Sequence, residues 1–239
     1  METIPFWQVD AFTSEVFSGN PAAVCVMEHW LPDDLLQQIA AENNLSETAF
    51  LVAKEGGGYR LRWMTPVAEV DLCGHATLAS GWVVLNELEP DAQAVRFETR
   101  SGTLSVEVAE AGYAMDFPAR PGAPCDASEG LAAALGVEPH ELFETDFNYL
   151  AVLGSAQDVW SLEPDFAAIA SLPHSVIATA PGEGEIDFPP VVRRADQRRR
   201  TLAPLQHRCL QHRDLLLHKP RGRRVTARGG RDCVWCVPE

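Results

Sequence analysis

The sequence is organised around one stretch, Val70-Asp71-Leu72-Cys73-Gly74-His75-Ala76-Thr77-Leu78-Ala79. It predicts the end of a strand, a tight turn at Gly74 and an apolar helix that continues through residues 81–85. The first N–H groups of a helix have no partner within it, and they lie at the positive end of the helix dipole. The start of this helix is therefore a candidate anion site, to which His75 adds a side chain that titrates near neutral pH.

The chain has two parts of opposite charge. Residues 1–186 hold 29 of the 34 acidic residues but only six of the 19 basic ones, whereas residues 187–239 hold 13 basic and five acidic residues. Such a break indicates a domain boundary or a tail. The acidic body argues against nucleic-acid binding.

Cellular location is predicted from what the sequence lacks. The N-terminus has no basic segment followed by an apolar core, so no signal peptide is predicted, and no apolar run is long enough to span a bilayer. Six irregularly spaced cysteines favour reduced thiols over a disulfide framework. We therefore expect a cytoplasmic protein without a membrane partner.

Short strands flank the central helix on both sides. A turn is predicted at residues 17–21, a helix opening at Pro32, and strands at residues 4–12, 22–27, 47–52, 59–65, 95–99, 102–108 and 113–117. One buried helix among many short strands indicates an α+β fold, in which a mostly antiparallel sheet wraps around the helix.

A linker by composition, residues 118–124, precedes a second unit. That unit is predicted to contain a helix at residues 128–136 with Ser128 as its N-cap, a helix at 165–172, and strands at 149–153 and 175–180. We expect three segments: a first domain at 1–117, a partial second domain at 118–188 and a basic, aberrant tail at 189–239.

The tail has no helical or strand period, and no secondary structure is predicted for it. A zinc site needs about four ligands around a folded knuckle, and the hydrophobic pattern for a knuckle is absent. No metal site is therefore predicted from the tail residues His207, Cys209, His212, Cys233 and Cys236.

Glu47 and His75 are the candidate catalytic and binding residues. Glu47 lies between polar turn residues and an apolar strand, where partial burial would raise the pKa of its carboxyl toward the range useful for proton transfer. From spacing alone, a surface glutamate at a strand entrance is the commoner case. His75 either polarises a substrate oxygen beside helix amides that hold a carboxylate, or merely completes a polar helix start.

Other polar residues near these two have structural alternatives. Asn20 contributes to the turn and could also contact a substrate. Cys73 could act as a nucleophile or base, although a buried structural cysteine is commoner. For Glu69 and Asp71 we expect surface positions, and for the pair Arg60 and Arg62 ion pairs with acids of the protein, with binding of a substrate carboxylate as the alternative.

Four motifs in order resemble the PhzF-like phenazine-biosynthesis family of the diaminopimelate-epimerase-like superfamily. The resemblance covers roughly residues 3–188, and its motifs are Gly19-Asn20-Pro21-Ala22-Ala23-Val24, Asn44-Leu45-Ser46-Glu47-Thr48-Ala49-Phe50, Thr65-Pro66 and Glu69 to Ala79. It implies two similar halves, each a sheet wrapped around a central helix, with the active site in the cleft between them.

The resemblance also implies an activity. Glu47 matches the glutamate that moves a proton between substrate carbons, and Gly74 and His75 match the Gly-His pair in the same cleft. We therefore expect an isomerase or epimerase of biosynthetic type that acts on a small carboxylate and needs neither cofactor nor metal. By resemblance it is a homodimer.

The chain departs from the family in its second half. Ile186-Asp187-Phe188 leads toward a segment that in the family resembles Asp-Pro-Val-Thr-Gly-Ser-Ala-His, but no counterpart follows Pro189. The sequence therefore supports a second hypothesis: a truncated or frameshifted family member that lacks half of the active-site cleft and is catalytically inactive.

Overall fold

The computed structural model describes residues 3–13, 19–110, 112–117, 121–126, 130–146 and 148–181, and the backbone of residues 223–227 and 234–235. The chain divides into two compact units: Met1–Pro118 with Gly222–Glu239, and Ala119–Arg221. Within the described residues, no helix has both the length and the apolar character needed to cross a membrane.

The first unit contains eight strands and two α-helices between residues 6 and 117, within the described ranges. Helix α1 is Asp33–Asn43, and α2 is Gly74–Val83, which continues into a π-helical turn at Val84–Leu88. The strands are β1 Phe6–Ala11, β2 Asn20–Met27, β3 Glu47–Ala53, β4 Tyr59–Met64, β5 Glu69–Val70, β6 Ala94–Thr99, β7 Gly102–Ala109 and β8 Gly112–Phe117.

The sheet of this unit curls around α2. Its strand order is β8-β7-β6-β4-β3-β2-β1, with β5 paired to β4. Helix α2 contacts β1, β2 and β3 at one end of this order and β7 and β8 at the other. A single helix can contact both ends only if the sheet bends around it, so the predicted α+β fold is confirmed for this unit.

The sheet surrounds helix α2, so no side of the helix faces water and its sequence has no polar face. Every residue from His75 to Val83 is buried. Gly81 allows the closest approach to the sheet, because a Cβ atom at this position would lie 2.5 Å from Cγ1 of Val106 on β7. The helix therefore needs glycine at position 81 for packing.

Helix α1 covers the outer face of the sheet. Pro32 precedes it, Asp33 and Asp34 occupy its first turn, and it ends where Asn44 adopts a left-handed conformation with φ 51°. Its buried residues Leu36 and Ala40 join a core cluster with side chains from β2, β3 and β4. The predicted start of this helix is confirmed.

The second unit has a four-stranded sheet of its own, in the order β12-β11-β10-β9. Only β11 and β12 pair in parallel. The strands are β9 Ala123–Pro124, β10 Glu141–Glu144, β11 Asn148–Val152 and β12 Ser175–Thr179, and the helices are α3 Leu131–Leu135, α4 Ala156–Trp160 and α5 Phe166–Ile169. A helix as long as α2 is not found among the described residues of this unit.

Four local predictions differ from the structure. Asn20 and Pro21 already pair with β1, because Gly19, at φ 82°, completes the turn before them. Gly74 has no positive φ and begins α2, because Cys73 in an extended conformation makes the change of direction. Gly130 rather than Ser128 precedes α3, and α5 is shorter than predicted. The first residues of the predicted turn, 17 and 18, and Ser128 lie outside the described residues.

Two short strands are described in the tail. Residues Arg223–Ala227 (β13) pair antiparallel with β8, and Val234–Trp235 (β14) pair antiparallel with β1. The rest of the segment 189–239 lies outside the described residues, and it includes His207, Cys209, His212, Cys233 and Cys236. The three-segment division of the chain stays a prediction.

Candidate functional site

Strand register places Glu47 on the face of the sheet that packs against α2. Strands β2 and β3 are parallel, with Glu47 opposite Ala22. Ala22 and Ala49, which share this face, belong to the core cluster around α2. Asn20 lies two residues before Ala22 and therefore points to the same face, where it is buried. Glu47 and Asn20 thus lie at neighbouring ends of adjacent strands.

The start of α2 is held by hydrogen bonds from its own side chains. The Thr77 hydroxyl donates to the carbonyl of Cys73 at 2.5 Å, and the Ser80 hydroxyl donates to the carbonyl of Ala76 at 2.7 Å. Cys73 precedes the helix with φ −146° and ψ 117°, and its side chain makes no capping hydrogen bond. The first turn of α2 is therefore not closed by a side-chain cap.

Three titratable side chains meet at this helix start. Nε2 of His75 lies 3.3 Å from Oε2 of Glu47, and Nδ1 of His75 lies 3.5 Å from Sγ of Cys73. Each of the three residues is only 8% exposed. The imidazole therefore lies between a carboxylate and a thiol, in a place where electrostatic interactions are stronger than in water. Such a chain of groups can hold and move a proton.

The same three residues are of types that bind metal ions. One ligand atom from each of Glu47, Cys73 and His75 lies within 4.8 Å of the others. However, the imidazole presents opposite nitrogens to its two neighbours, whereas a metal would need one nitrogen to face both. The arrangement, with one neighbour on each side of the imidazole, fits converging metal ligands poorly, and the expectation that no metal is needed stays a prediction.

Arg62 is engaged by acids of the protein, as expected. Its Nε and Nη2 atoms donate to the two carboxylate oxygens of Glu69 at 2.7 and 2.8 Å, and Nη1 donates to Asp33 at 2.9 Å. Arg100 also contacts Glu69 at 2.8 Å and lies 3.7 Å from the exposed Asp71. Glu69 is not the surface group that we expected, because these cations cover it.

The Thr65-Pro66 motif closes the turn after β4. The Thr65 hydroxyl oxygen accepts from the N–H groups of Val67 and Ala68 at 3.2 and 3.0 Å, and Gln37 of α1 donates to the Thr65 carbonyl at 2.8 Å. A threonine that satisfies backbone groups in this way stabilises a tight turn. This motif therefore has a structural role in the first unit.

Sequence reasoning missed the contact between Cys73 and His75. The residues are two apart, a spacing that does not bring side chains together within a helix. They meet because Cys73 is extended and only His75 lies in the helix. The signal that could have indicated this contact is the cysteine at the N-cap position of α2, because cysteine is not a usual capping residue.

Comparison with known proteins identifies the family. A family profile described as "Phenazine biosynthesis-like protein" matches residues 9–204. The chain belongs to this PhzF-like family. The match extends past Phe188, where the resemblance noted in the sequence ends.

Similar PhzF-like proteins include isomerases of bacteria. An uncharacterized isomerase of Pseudomonas aeruginosa is 49% identical over 185 residues, which are 77% of this chain and 71% of the relative. An uncharacterized isomerase of Halalkalibacterium halodurans is 39% identical over 193 residues, 79% of this chain and 72% of the relative. At the level of the family, this chain is therefore a PhzF-like isomerase.

Solved structures support the same fold. The crystal structure of a PhzF-family phenazine biosynthesis protein of Enterococcus faecalis matches with a TM-score of 0.69 and 44% identity, over 77% of this chain and 71% of that one. A predicted epimerase of Pseudomonas aeruginosa matches with a TM-score of 0.58 at 22% identity, over 74% of this chain and 70% of that one. The second match shows the fold alone.

Proposed function

We propose that this PhzF-like chain catalyses a cofactor-independent proton transfer on a small carboxylated metabolite, with Glu47 as the general acid/base. The observation that carries the proposal is the 3.3 Å contact between Glu47 and His75 at the start of α2. A buried carboxylate beside an imidazole and the first amides of a helix joins a proton carrier to an anion site.

The chemistry follows from the groups at this position. Glu47 removes a proton from a carbon next to the substrate carboxylate, and the electrons of the broken C–H bond delocalise onto the carboxylate oxygens. The amides at Gly74 and His75 stabilise the negative charge that develops there. Glu47 then returns the proton to another carbon or to the other face of the same carbon. No oxidant or external acid is consumed.

His75 and Asn20 orient the substrate in this proposal. The His75 imidazole holds the Glu47 carboxylate in place and can donate to a substrate oxygen. The buried amide of Asn20, on the same face of the sheet as Glu47, supplies both a donor and an acceptor. Burial of both side chains favours a small substrate over a polymeric one.

The cellular compartment and the partners of the chain are part of the same proposal. The described cysteines Cys25, Cys73 and Cys125 form no disulfide, which agrees with a reducing compartment such as the cytoplasm. A small-molecule carboxylate is the partner that the site requires. The homodimer and the biosynthetic role rest on the resemblance, and sedimentation of the purified chain at several concentrations tests the dimer.

Solvent exchange tests the proposed reaction. The purified chain is incubated in D2O with a panel of small carboxylic acids and with the corresponding amides, and proton NMR follows the C–H signals next to the carboxyl group. We expect one or more acids to lose such a signal while its amide does not, because only the acid occupies the anion site. Exchange of acid and amide at equal rates would contradict carboxylate binding by α2.

A second candidate function is that of an inactive family member. It is favoured by the absence of the family's Asp-Pro-Val-Thr-Gly-Ser-Ala-His-like segment after Phe188, together with the change to an arginine-rich composition. Translation of the coding DNA around codon 189 in the other two frames tests this candidate. Recovery of a Gly-Ser-Ala-like turn followed by an apolar helix would support a frameshift, and its absence from both frames would contradict one.

The two candidates also differ in their folding behaviour. An incomplete second half would leave apolar surface uncovered, so the purified chain should bind a dye that fluoresces on apolar surface. An active, complete enzyme should unfold in one cooperative transition and bind little dye.

A further inference from the structure

Cys73 contacts the opposite side of the His75 ring from Glu47. Its Sγ atom lies 3.5 Å from Nδ1, while Nε2 faces the Glu47 carboxylate at 3.3 Å. The extended backbone of Cys73, at the N-cap of α2, directs this side chain toward the first turn of the helix. The thiol is buried and makes no capping hydrogen bond, so its role at this position is not that of a cap.

We propose that Cys73 is a positioning residue for His75, which it holds in the tautomer protonated at Nε2. The thiol donates its proton to Nδ1, so Nδ1 is an acceptor and the neutral ring carries its proton on Nε2. That N–H then faces Oε2 of Glu47, which lies 3.3 Å from Nε2. The inference rests on the proposed function, because it makes Cys73 the group that orients the acid/base through the imidazole.

The other tautomer would be unfavourable at this place. With the proton on Nδ1, the lone pair of Nε2 would face the Glu47 carboxylate at 3.3 Å, and two acceptors would repel each other. A hydrogen bond to the other ring nitrogen commonly fixes which nitrogen of a histidine is protonated. Loss of the thiol donor should therefore weaken the selection of the tautomer and the orientation of the ring.

Nitrogen NMR of His75 tests this assignment without any substrate. The full chain is labelled with 15N, and the ring signals of His75 are identified by their loss in His75→Gln. The tautomer of the His75 ring is then determined from these signals in the unchanged chain, Cys73→Ala, Cys73→Ser and Cys25→Ala. Cys25 is the matched control, because it is another buried thiol, in β2, and it packs in the core cluster beneath α1.

We expect His75 to be protonated at Nε2 in the unchanged chain and in Cys25→Ala. In Cys73→Ala, the 15N chemical shift of Nδ1 should move away from the value of a nitrogen that accepts a hydrogen bond. In Cys73→Ser, this chemical shift should be retained, because a hydroxyl also donates. An unchanged Nδ1 signal in Cys73→Ala would overturn the proposal. A ring protonated on both nitrogens at neutral pH in the unchanged chain would also overturn it.

Kinetics separate this inference from the proposed function. If a substrate is found, Cys73→Ala should lower kcat by about tenfold through misorientation of the acid/base, with a smaller change in KM. Cys73→Ser should restore most of the activity. If no substrate is found, the proposed function fails while the NMR assignment is still decided. If Cys73→Ala does not fold, the unchanged chain decides, since a His75 ring protonated at Nδ1 in it would contradict the thiol as donor.

Discussion

Oε2 of Glu47 lies 3.3 Å from Nε2 of His75, although 28 positions separate the two residues in the sequence. Two independent features of the first unit produce this distance. The parallel register of β2 and β3 sets Glu47 opposite Ala22 on the inner face of the sheet. The curling of the sheet brings that face against α2, whose second residue is His75.

Replacement of His75 should impair catalysis more than folding. We expect His75→Asn to lower the rate of solvent exchange by about 10²-fold, because the acid/base loses the group that orients it. His29→Asn, an exposed histidine in the loop after β2, is the matched control and should change the rate by less than about twofold. Equal rates in the two variants would remove His75 from the site.

Two glycines of α2 should respond oppositely to alanine. Gly81→Ala places a methyl group against Val106 and should cost about 1–3 kcal/mol of unfolding free energy. Gly74→Ala meets its nearest neighbour only at 3.8 Å, so it should leave the stability unchanged or raise it by up to about 1 kcal/mol. Urea unfolding measures both changes.

A second substitution checks the reason for the loss in Gly81→Ala. Val106→Ala removes the methyl groups that the new side chain meets, so the double variant should lose less stability than the two single variants together. Strict additivity would contradict a direct clash between positions 81 and 106.

The paired guanidinium of Arg62 should not be replaceable by lysine. Arg62 binds both oxygens of Glu69 and lies 5.3 Å from the centre of the Trp30 ring. We expect Arg62→Lys to cost about 1 kcal/mol, because an ammonium group cannot form the two parallel hydrogen bonds. The exposed Arg60 on the same strand is the control, and Arg60→Lys should change the stability by less than about 0.5 kcal/mol.

Asp10 should make the first unit less stable as the pH rises. Burial raises the pKa of the Asp10 carboxyl above its ordinary value of 3.8. Between the unfolded and the folded pKa the folded chain binds more protons, so the stability is lost as the pH rises through the folded pKa. Asp10→Asn lacks this loss, and its stability relative to the unchanged chain should increase from pH 3.8 upward. Urea midpoints that differ by the same amount at every pH would contradict this.

The sequence was sufficient to predict the central helix and its surrounding strands. The apolar run after His75 has no polar face, and only burial on all sides accommodates such a helix. The turns at Gly56-Gly57-Gly58 and around Asn44 are marked by residues that tolerate positive φ, and both are present. Local chemistry therefore predicted the elements of the first unit.

The sequence could not predict contacts that depend on tertiary geometry. Strand β10 has the sequence Glu-Leu-Phe-Glu. Only its two central residues are apolar, so its pattern is too short to predict a strand. The distance from Glu47 to His75 depends on strand register and on the bend of the sheet, which no local pattern encodes. The contact between Cys73 and His75 depends on a change from extended to helical backbone within two residues.

The rate of solvent deuterium incorporation by Glu47→Gln is the most direct test of Glu47 as the general acid/base. Glu69→Gln is the matched control, because it removes the charge of another largely buried glutamate of the same unit that lies in an ion-pair network. We expect Glu47→Gln to exchange at least about 10²-fold more slowly than the unchanged chain, and Glu69→Gln to exchange at a rate similar to that of the unchanged chain. Undiminished exchange by Glu47→Gln would contradict the assignment of Glu47 as the acid/base.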